Sequence, residues 1–240
     1  MKRLLILFFV CSTAVYGQKQ KQQKKNPNPD PVKAWYGMEA YEFIFSKGEV
    51  KSGGQTLDNI VRFTAFFNGQ SQRHYNFSNH FGILTGIGIH NVGLLNKYDL
   101  PDGKFEMKNR AYSIGVPLAL KMGGMVNGNY IALGAEAEYM FQYKRKIWYN
   151  GNDTKMSEWF SDEVNQFNPS LFADLRFHNG TFFRFKYYLN DFLSDKATTF
   201  YLPDSNIPVT LKPEKSTMWY VSIGSAFKIK KKKKLTKDDV

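Results

Sequence analysis

The four histidines are the first residues to test for chemistry, because imidazole binds metals and acts as a general base near neutral pH. His74, His80, His90 and His178 are separated by 6, 10 and 88 residues, and these spacings match no metal-binding motif. The single cysteine, Cys11, lies in an apolar segment at the N-terminus and does not complement them. We therefore expect no metal site and no cofactor.

A lipid-modifying enzyme would need a histidine with a nearby serine or acid at the membrane-facing rim of the fold. His90 with Glu106 or Ser113 is the one arrangement of this kind that the sequence offers. The sequence favours a protein that is not an enzyme and has no catalytic residues. The lipid-modifying enzyme is kept as an alternative.

Charged side chains recur on the polar faces of the predicted strands, four acidic and four basic. Buried charges persist only when they are paired, so this balance predicts an internal charge network. If these strands close into an eight-stranded barrel, side chains would fill its lumen, which favours a structural role over an ion path. The predicted network comprises Glu42, Arg62, Glu136, Glu138, Asp174, Arg176, Arg184 and Lys186.

The residues between the termini alternate between apolar and polar, which indicates β-strands. No segment after residue 17 has 18 consecutive apolar residues, so membrane-spanning helices are not expected. Pro117 lies within a strand, where we expect a β-bulge that helps to curve the sheet. The eight predicted strands are 37–46, 59–68, 80–90, 111–122, 130–143, 167–177, 182–190 and 217–229.

The composition of the two faces distinguishes a membrane barrel, whose apolar face contacts lipid, from a soluble barrel, whose apolar face lines the interior. The polar face is rich in Gly, Ala and Ser and nearly balanced in charge, as expected of a crowded interior. Aromatic residues gather at strand ends, which is typical of an interfacial girdle. These features predict an all-β fold, an eight-stranded antiparallel up-and-down transmembrane β-barrel with Leu133 facing lipid. A soluble lipocalin-like barrel that binds an apolar ligand inside is the alternative. The girdle is predicted from Tyr112, Tyr139, Phe141, Tyr143, Trp148 and Trp219.

The predicted connections differ in length between the two ends of the barrel. The long ones fall at one end, as extracellular loops do, and both termini fall at the other. Segment 68–79 is an exception, because it is a long connection at the end of the termini. Exposed aromatics among mixed charges are typical of interaction sites, and we expect candidate binding residues at Trp148, Tyr149, Trp159, Phe160, Phe200 and Tyr201.

The net charge of +12 is concentrated at the termini. Residues 1–17 have the order of a secretory signal peptide, and 18–34 form a flexible leader rich in Lys, Gln and Pro. The barrel is predicted over 35–229, and a basic periplasmic tail over 230–240. Residues 1–17 carry +2, and segments 18–33 and 228–240 carry +4 and +5, which leaves +1 for residues 34–227. A fold that binds nucleic acid needs its charge on the folded surface, so no nucleic-acid partner is expected.

Two neighbouring segments carry a family resemblance. HFGILTGIGIHNVG contains Thr85, Gly86, Gly88 and Gly93, and YSIGVPLALKMG contains an aliphatic-Pro-aliphatic core, Val116-Pro117-Leu118, before Lys121. Together they resemble the central hairpin of the PorT-like outer-membrane β-barrel family of Bacteroidota, over about forty residues. The resemblance implies an eight-stranded OmpX/OmpA-like outer-membrane barrel without catalytic residues.

The sequence thus predicts an exported, integral outer-membrane barrel with both termini periplasmic and the long loops extracellular. We expect it to act as a non-catalytic anchor, scaffold or surface-binding protein, with a place as a subunit of a larger envelope or secretion assembly left open. The expected partners are outer-membrane lipid and other envelope proteins. No small-molecule substrate is identified.

Overall fold

The computed structural model describes residues 34–100 and 103–229, with the side chain of Leu100 left out, and these residues form strands and short connections. None of the described residues belongs to a helix long and apolar enough to cross a membrane. The predicted signal peptide, all but the last residue of the leader, and the basic tail lie outside the described residues. The strands are β1 Trp35–Ser52, β2 Gln55–Ile60, β3 Arg62–Thr64, β4 Gly69–Asn76, β5 Phe81–Leu100, β6 Gly103–Gly124, β7 Asn129–Tyr149, β8 Asn152–Trp159, β9 Phe167–Arg176, β10 Thr181–Tyr188, β11 Thr198–Tyr201, β12 Pro208–Leu211 and β13 Pro213–Lys228.

The described strands close into an eight-stranded antiparallel barrel. β2, β3 and β4 follow one another along one side of β1 and together fill the second position of the wall, while β8 and β9 fill the sixth beside β7. β13 then pairs with β1 from Met38–Lys228 to Ser52–Pro213, which joins the two edges of the sheet. The prediction of an all-β, up-and-down barrel is confirmed. A barrel closed in this way leaves no unpaired edge strand.

Several strands are longer than predicted. β5 and β6 pair from Phe81–Met122 to Leu100–Gly103, and β7 continues to Tyr149. The sequence pattern predicts loops over 91–109 and 144–159, but these segments are largely strand. Alternation continues through these segments, but most of the outward residues are charged. An apolar stripe alone therefore predicts strands that end too early.

The predicted strand 59–68 is wrong, because the second position of the wall is filled by three shorter strands, β2, β3 and β4. Its ladder to β5 stops at Ile60 and resumes at Gly69, and the residues between them pair only with β1 through β3. Segment 69–76, predicted to be a connection, is β4. The true turn at this end, 77–80, is short. The exception to the loop-length pattern therefore disappears.

Side chains bridge the gap in the ladder between β3 and β5. Arg62 donates to the backbone oxygen of Asn91 at 3.2 Å and to its Oδ1 at 2.5 Å. The N–H of Asn91 donates to Asn68 Oδ1 at 2.8 Å, and Ser46 Oγ donates to the oxygen of Gly93 at 2.6 Å. These bonds satisfy buried backbone groups that a continuous strand would otherwise pair.

Replacing Arg62 by Ala should loosen this gap. We expect Arg62→Ala to lower the free energy of unfolding by about 1–3 kcal/mol, because Asn91 loses its buried partner. Hydrogen exchange should accelerate at amides 90–94 more than at 83–89. Arg73→Ala on the exposed face of β4 is the control. Equal exchange in both segments would show that Arg62 does not hold the gap closed.

A β-bulge lies at Phe141 and not at Pro117. Tyr112 pairs with Gln142 but Ser113 pairs with Met140, so Phe141 is the extra residue of β7. Beyond the bulge the faces of β7 exchange, which turns Tyr143 inward instead of into the predicted girdle. Pro117 keeps the register, and its carbonyl oxygen accepts a bond from Thr85 Oγ1 at 2.9 Å.

The barrel interior differs between its two ends. We call the part between the described chain ends and the level of Tyr112 the lower section, and the part beyond it the upper section. The lower section buries mostly polar and charged side chains, whereas the upper section is packed with apolar ones. β11 and β12 form a separate hairpin that supplies part of this packing. The upper cluster includes Tyr98, Phe105, Met107, Ile147, Tyr149, Phe200, Leu202 and Val209.

Candidate functional site

The structure places all eight predicted network residues inside the barrel, each at most 5% exposed. They lie at inward positions of β1, β3, β7, β9 and β10, because the two-residue period of a strand sends alternate side chains to the lumen. Register then sets their neighbours. Arg184, for example, lies directly across from Asp174 in the pairing of β10 with β9.

Lys186 is the centre of one half of the network. Its Nζ donates to Glu136 Oε2 at 2.7 Å and also contacts Glu138 Oε1. Glu138 further accepts bonds from Ser113 Oγ at 2.5 Å and from Tyr188 OH at 2.9 Å. Two buried carboxylates therefore share one ammonium group and two hydroxyl donors, as buried charges require.

Asp174 is the centre of the other half. Arg184 Nε donates to its Oδ1 at 2.6 Å, and Arg176 Nη2 donates to its Oδ2 at 2.8 Å. A second nitrogen of Arg184 reaches Oδ2 at 2.9 Å, so this pair is bidentate. Glu42 lies 3.6 Å from Arg184 Nη1 and accepts a bond from Ser222 Oγ at 2.5 Å.

His90 joins the two halves, although it is not a member of the network predicted from the sequence. Its Nε2 lies 3.0 Å from Glu136 and its Nδ1 lies 3.6 Å from Glu42. The network around His90 has four carboxylates and three cations that are always charged, so the charges are equal when both ring nitrogens of His90 carry a proton. The carboxylates are those of Glu42, Glu136, Glu138 and Asp174, and the cations are Arg176, Arg184 and Lys186. The sequence does indicate that His90 faces inward, because the two-residue period of the strand places it on the same face as Gly86 and Gly88.

The candidate catalytic arrangement at His90 is not formed. Ser113 donates to Glu138 rather than to His90, and Glu106 pairs with Lys97 at 3.1 Å on the outside. His90 is fully buried and does not reach the rim. His90 therefore has neither access to a substrate nor a hydrogen bond to a nucleophile, and a catalytic base needs both.

Arg62 stands apart from the predicted network. It is buried, but the hydrogen bonds it makes go to Asn91 and not to a carboxylate. Its role is to bridge the gap in the wall, which corrects its assignment as an internal ion-pair partner. Arg62 lies on the interrupted strand β3, closer to the upper section than the other seven residues, and therefore does not reach their carboxylates.

One cluster of the network has the composition of a metal site. Ligand atoms of His90, Glu136 and Glu138 lie within 4.8 Å of one another. The ammonium group of Lys186 already contacts both carboxylates of this cluster. A cation added here would be repelled by Lys186, so the residues fit an ion-pair centre better than a metal.

Two glycines make room for the network. A Cβ at Gly115 would lie 2.3 Å from Glu136 Oε1, and one at Gly88 would lie 2.9 Å from His90 Nε2. Such distances are shorter than carbon and polar atoms tolerate. The glycines on the polar face thus allow large charged side chains to fill a narrow lumen.

The outer face of the lower section is an apolar belt, interrupted beside β4, where Glu39, Ser71 and Arg73 face outward. Its residues alternate with the inward-facing residues of each strand and are 38% exposed or more. The belt includes Tyr41, Phe43, Phe45, Phe81, Ile87, Ile89, Ile114, Val116, Leu118, Leu120, Ile131, Leu133, Phe167, Leu171, Leu175, Phe183, Phe185, Val221, Ile223 and Phe227.

An aromatic rim bounds this belt at the upper section. Its rings pair at centroid distances of 5.6 Å for Phe67 and Tyr112, 6.3 Å for Tyr139 and Phe160, and 5.8 Å for Phe141 and Trp159. Beyond the rim, the outward residues of β6 become charged within two positions. This sharp change sets the upper limit of the apolar belt.

No protein-family model matches the chain, and no curated protein matches it. The solved structures similar to it include two surface proteins. The attachment invasion locus protein Ail of Yersinia pestis, in complex with the heparin analogue sucrose octasulfate, is 15% identical, with 80% of this chain and 99% of that chain covered and a TM-score of 0.35. Neisserial surface protein A is 12% identical, with 82% and 98% covered and a TM-score of 0.36.

Both proteins are outer-membrane β-barrels. The likeness is distant, with TM-scores below 0.5, so the fold assignment rests on the strand pairing of the chain itself. The closure of β13 onto β1 is the observation that decides it.

The six aromatics predicted to form an extracellular binding surface separate into three groups. Tyr149 and Phe200 are 7% and 8% exposed and belong to the apolar cluster of the upper section. Trp159 and Phe160 belong to the aromatic rim, because β8 folds back along β7 until Trp159 reaches Gln142.

The two remaining aromatics lie on the outside of the upper section. Trp148 is half-buried on the outer face of β7, where Lys146 lies 4.5 Å from its ring. Tyr201 is 64% exposed on the β11–β12 hairpin. Tyr201 is therefore the member of the set that stands free for a partner. Strand pairing, which the sequence pattern did not reveal, explains the difference.

Proposed function

We propose that this chain is an integral outer-membrane β-barrel protein that acts as a non-catalytic anchor or surface-binding protein. The observation that carries the proposal is the distribution of polarity across the wall of the lower section, with paired charges inside and exposed apolar residues outside. A soluble lipocalin-like barrel requires the opposite arrangement. Lipid is the solvent that makes such an outer surface favourable.

The height of the apolar belt supports the proposal. On β6 the outward residues from Tyr112 to Leu120 are aromatic or aliphatic, and on β7 the outward residues from Ile131 to Phe141 are apolar. A tilted strand crosses the hydrocarbon core in about 9–11 residues. The stretches on both strands match this length, and the aromatic rim lies where a headgroup interface would begin.

A structural role for the interior supports the non-catalytic part of the proposal. The charge network is fully enclosed, and eight strands leave no aqueous channel once the lumen is filled. The packed upper section instead holds the β11–β12 hairpin in place, with Arg145 4.9 Å from the ring of Phe200. A rigid support of this kind suits presentation of an exposed segment to a partner.

The proposed orientation places the upper section outside the cell. The two described chain ends meet at the opposite end, where Met38 pairs with Lys228. The turns 77–80, 125–128 and 177–180 at that end are short, as periplasmic turns are. The resemblance to PorT-like proteins of Bacteroidota extends the proposal to that family and leaves a role in a larger envelope assembly open.

Surface labelling tests location and orientation together. The chain has one cysteine, Cys11, in the predicted signal peptide. We expect Tyr201→Cys to react with a membrane-impermeant maleimide on intact cells, because its side chain is exposed on the hairpin. Asn127→Cys in a turn at the other end is the control and should react only after lysis.

The mature chain should also require detergent for extraction and should migrate differently on a denaturing gel with and without heating. Recovery in the aqueous fraction without detergent would contradict a membrane location. Labelling of Asn127→Cys alone on intact cells would show that the orientation is reversed.

A further inference from the structure

A group of basic residues lies on the outer face of the upper section, immediately beyond the aromatic rim. Strand pairing places Arg110 directly across from Lys144 and Lys108 directly across from Lys146. Lys155 of β8 lies across from Lys146 on the other side. We call these five residues the cationic cluster.

The cationic cluster has few acidic partners. Asp153 lies 3.2 Å from Lys146 and 3.4 Å from Lys155. Within the described part of the chain, Lys108, Arg110 and Lys144 form no ion pair. Five basic residues thus share one carboxylate, and the nearby pairs Lys97–Glu106 and Lys104–Asp99 are internally neutral.

The arrangement is unfavourable for the chain alone. Like charges directly opposite on paired strands destabilise a sheet, and here two such pairs follow one another. Burial and the charges of Arg62, Arg110 and Lys146 lower the pKa of Lys108. A bound anion would remove this repulsion.

The level of the cluster identifies which anion is available. Arg110 precedes Tyr112 by two residues, which is about 7 Å along a strand and about 5 Å in height at the usual tilt. The headgroup layer of a bilayer leaflet is about 5–8 Å thick. Arg110 and Lys144 also lie 5.9 and 5.3 Å from the ring of Tyr112, so their cationic groups stay beside the rim.

We propose that Lys108, Arg110 and Lys144 bind the phosphate groups of phosphorylated lipids in the leaflet that surrounds the aromatic rim. This inference rests on the proposed membrane location. The guanidinium of Arg110 offers paired donors that match phosphate geometry, and the two lysines neutralise the remaining charge. The site should bind phosphate on a lipid in preference to a soluble anion, because the apolar belt at its lower edge would contact the acyl chains of the same lipid.

Lipid retention in nanodiscs tests the proposal. The full chain is reconstituted in neutral phosphatidylcholine containing a minority of bis-phosphorylated lipid A, and retained lipids are counted by native mass spectrometry after transfer to detergent. Dephosphorylated lipid A, with the same acyl chains, is the comparison lipid. We expect the wild-type chain to retain the phosphorylated lipid roughly a hundredfold more, since each of the three cations contributes about fivefold near the surface.

The test variant is K108Q/R110Q/K144Q, which removes the unpaired cations. The matched control is K47Q/K51Q/K215Q, which removes three cations from the outer faces of β1 and β13 in the upper section. We expect the first variant to retain both lipids equally and the second to behave as wild type. Heat-modifiable migration is measured first, so that only folded, inserted barrels are counted.

The outcomes separate the lipid site from the proposed function. A chain that inserts but retains both lipids equally, or a K108Q/R110Q/K144Q variant that keeps the preference, overturns the lipid site alone. Competition by millimolar inorganic phosphate or by sucrose octasulfate at equal charge would assign the cluster to soluble anions and also overturn it. A chain that does not insert overturns the membrane location and the lipid site together.

Discussion

Leu133→Arg is expected to prevent stable assembly of the barrel in a membrane. Leu133 is 46% exposed on the apolar belt, and its neighbours Ala132 and Gly134 face the lumen. An arginine on the lipid face costs about 2–4 kcal/mol near the bilayer midplane. We expect the heat-modifiable folded form to be lost or strongly reduced when the variant is refolded into lipid vesicles.

The control for this variant is Gln55→Arg, which places the same side chain at an exposed position of the upper section, across from Ser52. It should assemble as the wild-type chain does, because that surface lies beyond the aromatic rim. Normal assembly of both variants would mean that the apolar belt does not face lipid. Failure of both would indicate a general sensitivity of the chain to added arginine.

Lys186→Met should cause the second large effect, by leaving two buried carboxylates without their shared cation. Glu136 and Glu138 are both fully enclosed, and Lys186 contacts each of them. Removing one partner of a buried ion pair costs about 3–5 kcal/mol, because an uncompensated charge remains. The measurement is urea-induced unfolding in detergent micelles or vesicles, followed by tryptophan fluorescence.

A second substitution distinguishes loss of charge compensation from loss of packing. In Lys186→Met combined with Glu138→Gln, one negative charge is removed, so much of the lost stability should return. Lys51→Met breaks an exposed pair with Glu49 at 3.1 Å and should change stability by less than about 1 kcal/mol. If the double variant is no more stable than Lys186→Met, the charge account of this cluster is wrong.

The faces of the lower section could be predicted from the sequence, because a strand has a two-residue period and each side chain's face follows from its position. Alternation placed Leu133 outside and Glu136 inside, and the structure places both accordingly. Balance of charge on the polar face indicated a network before any contact was known. Local rules were sufficient where a strand was regular.

The prediction failed where a strand departs from regularity. Phe141 inserts one residue into β7 and reverses the faces beyond it, so Tyr143 lies inside. Arg62 faces inward as predicted but on an interrupted strand, and its partner is Asn91. A bulge or a break depends on the pairing of neighbouring strands, which single-strand periodicity does not contain.

The sequence by itself determined that the lower section consists of strands with one apolar and one polar, charge-balanced face, because hydrophobic periodicity is a local property. Tertiary structure decided that these strands close into a barrel with the polar face inside. Tertiary structure decided which charges meet, that His90 joins Glu42 to Glu136, and that Trp159 returns to the rim. It also decided that Lys108, Arg110, Lys144 and Lys146 lie side by side. Those contacts depend on the stagger between strands distant in sequence, and stagger is set by packing of the whole wall.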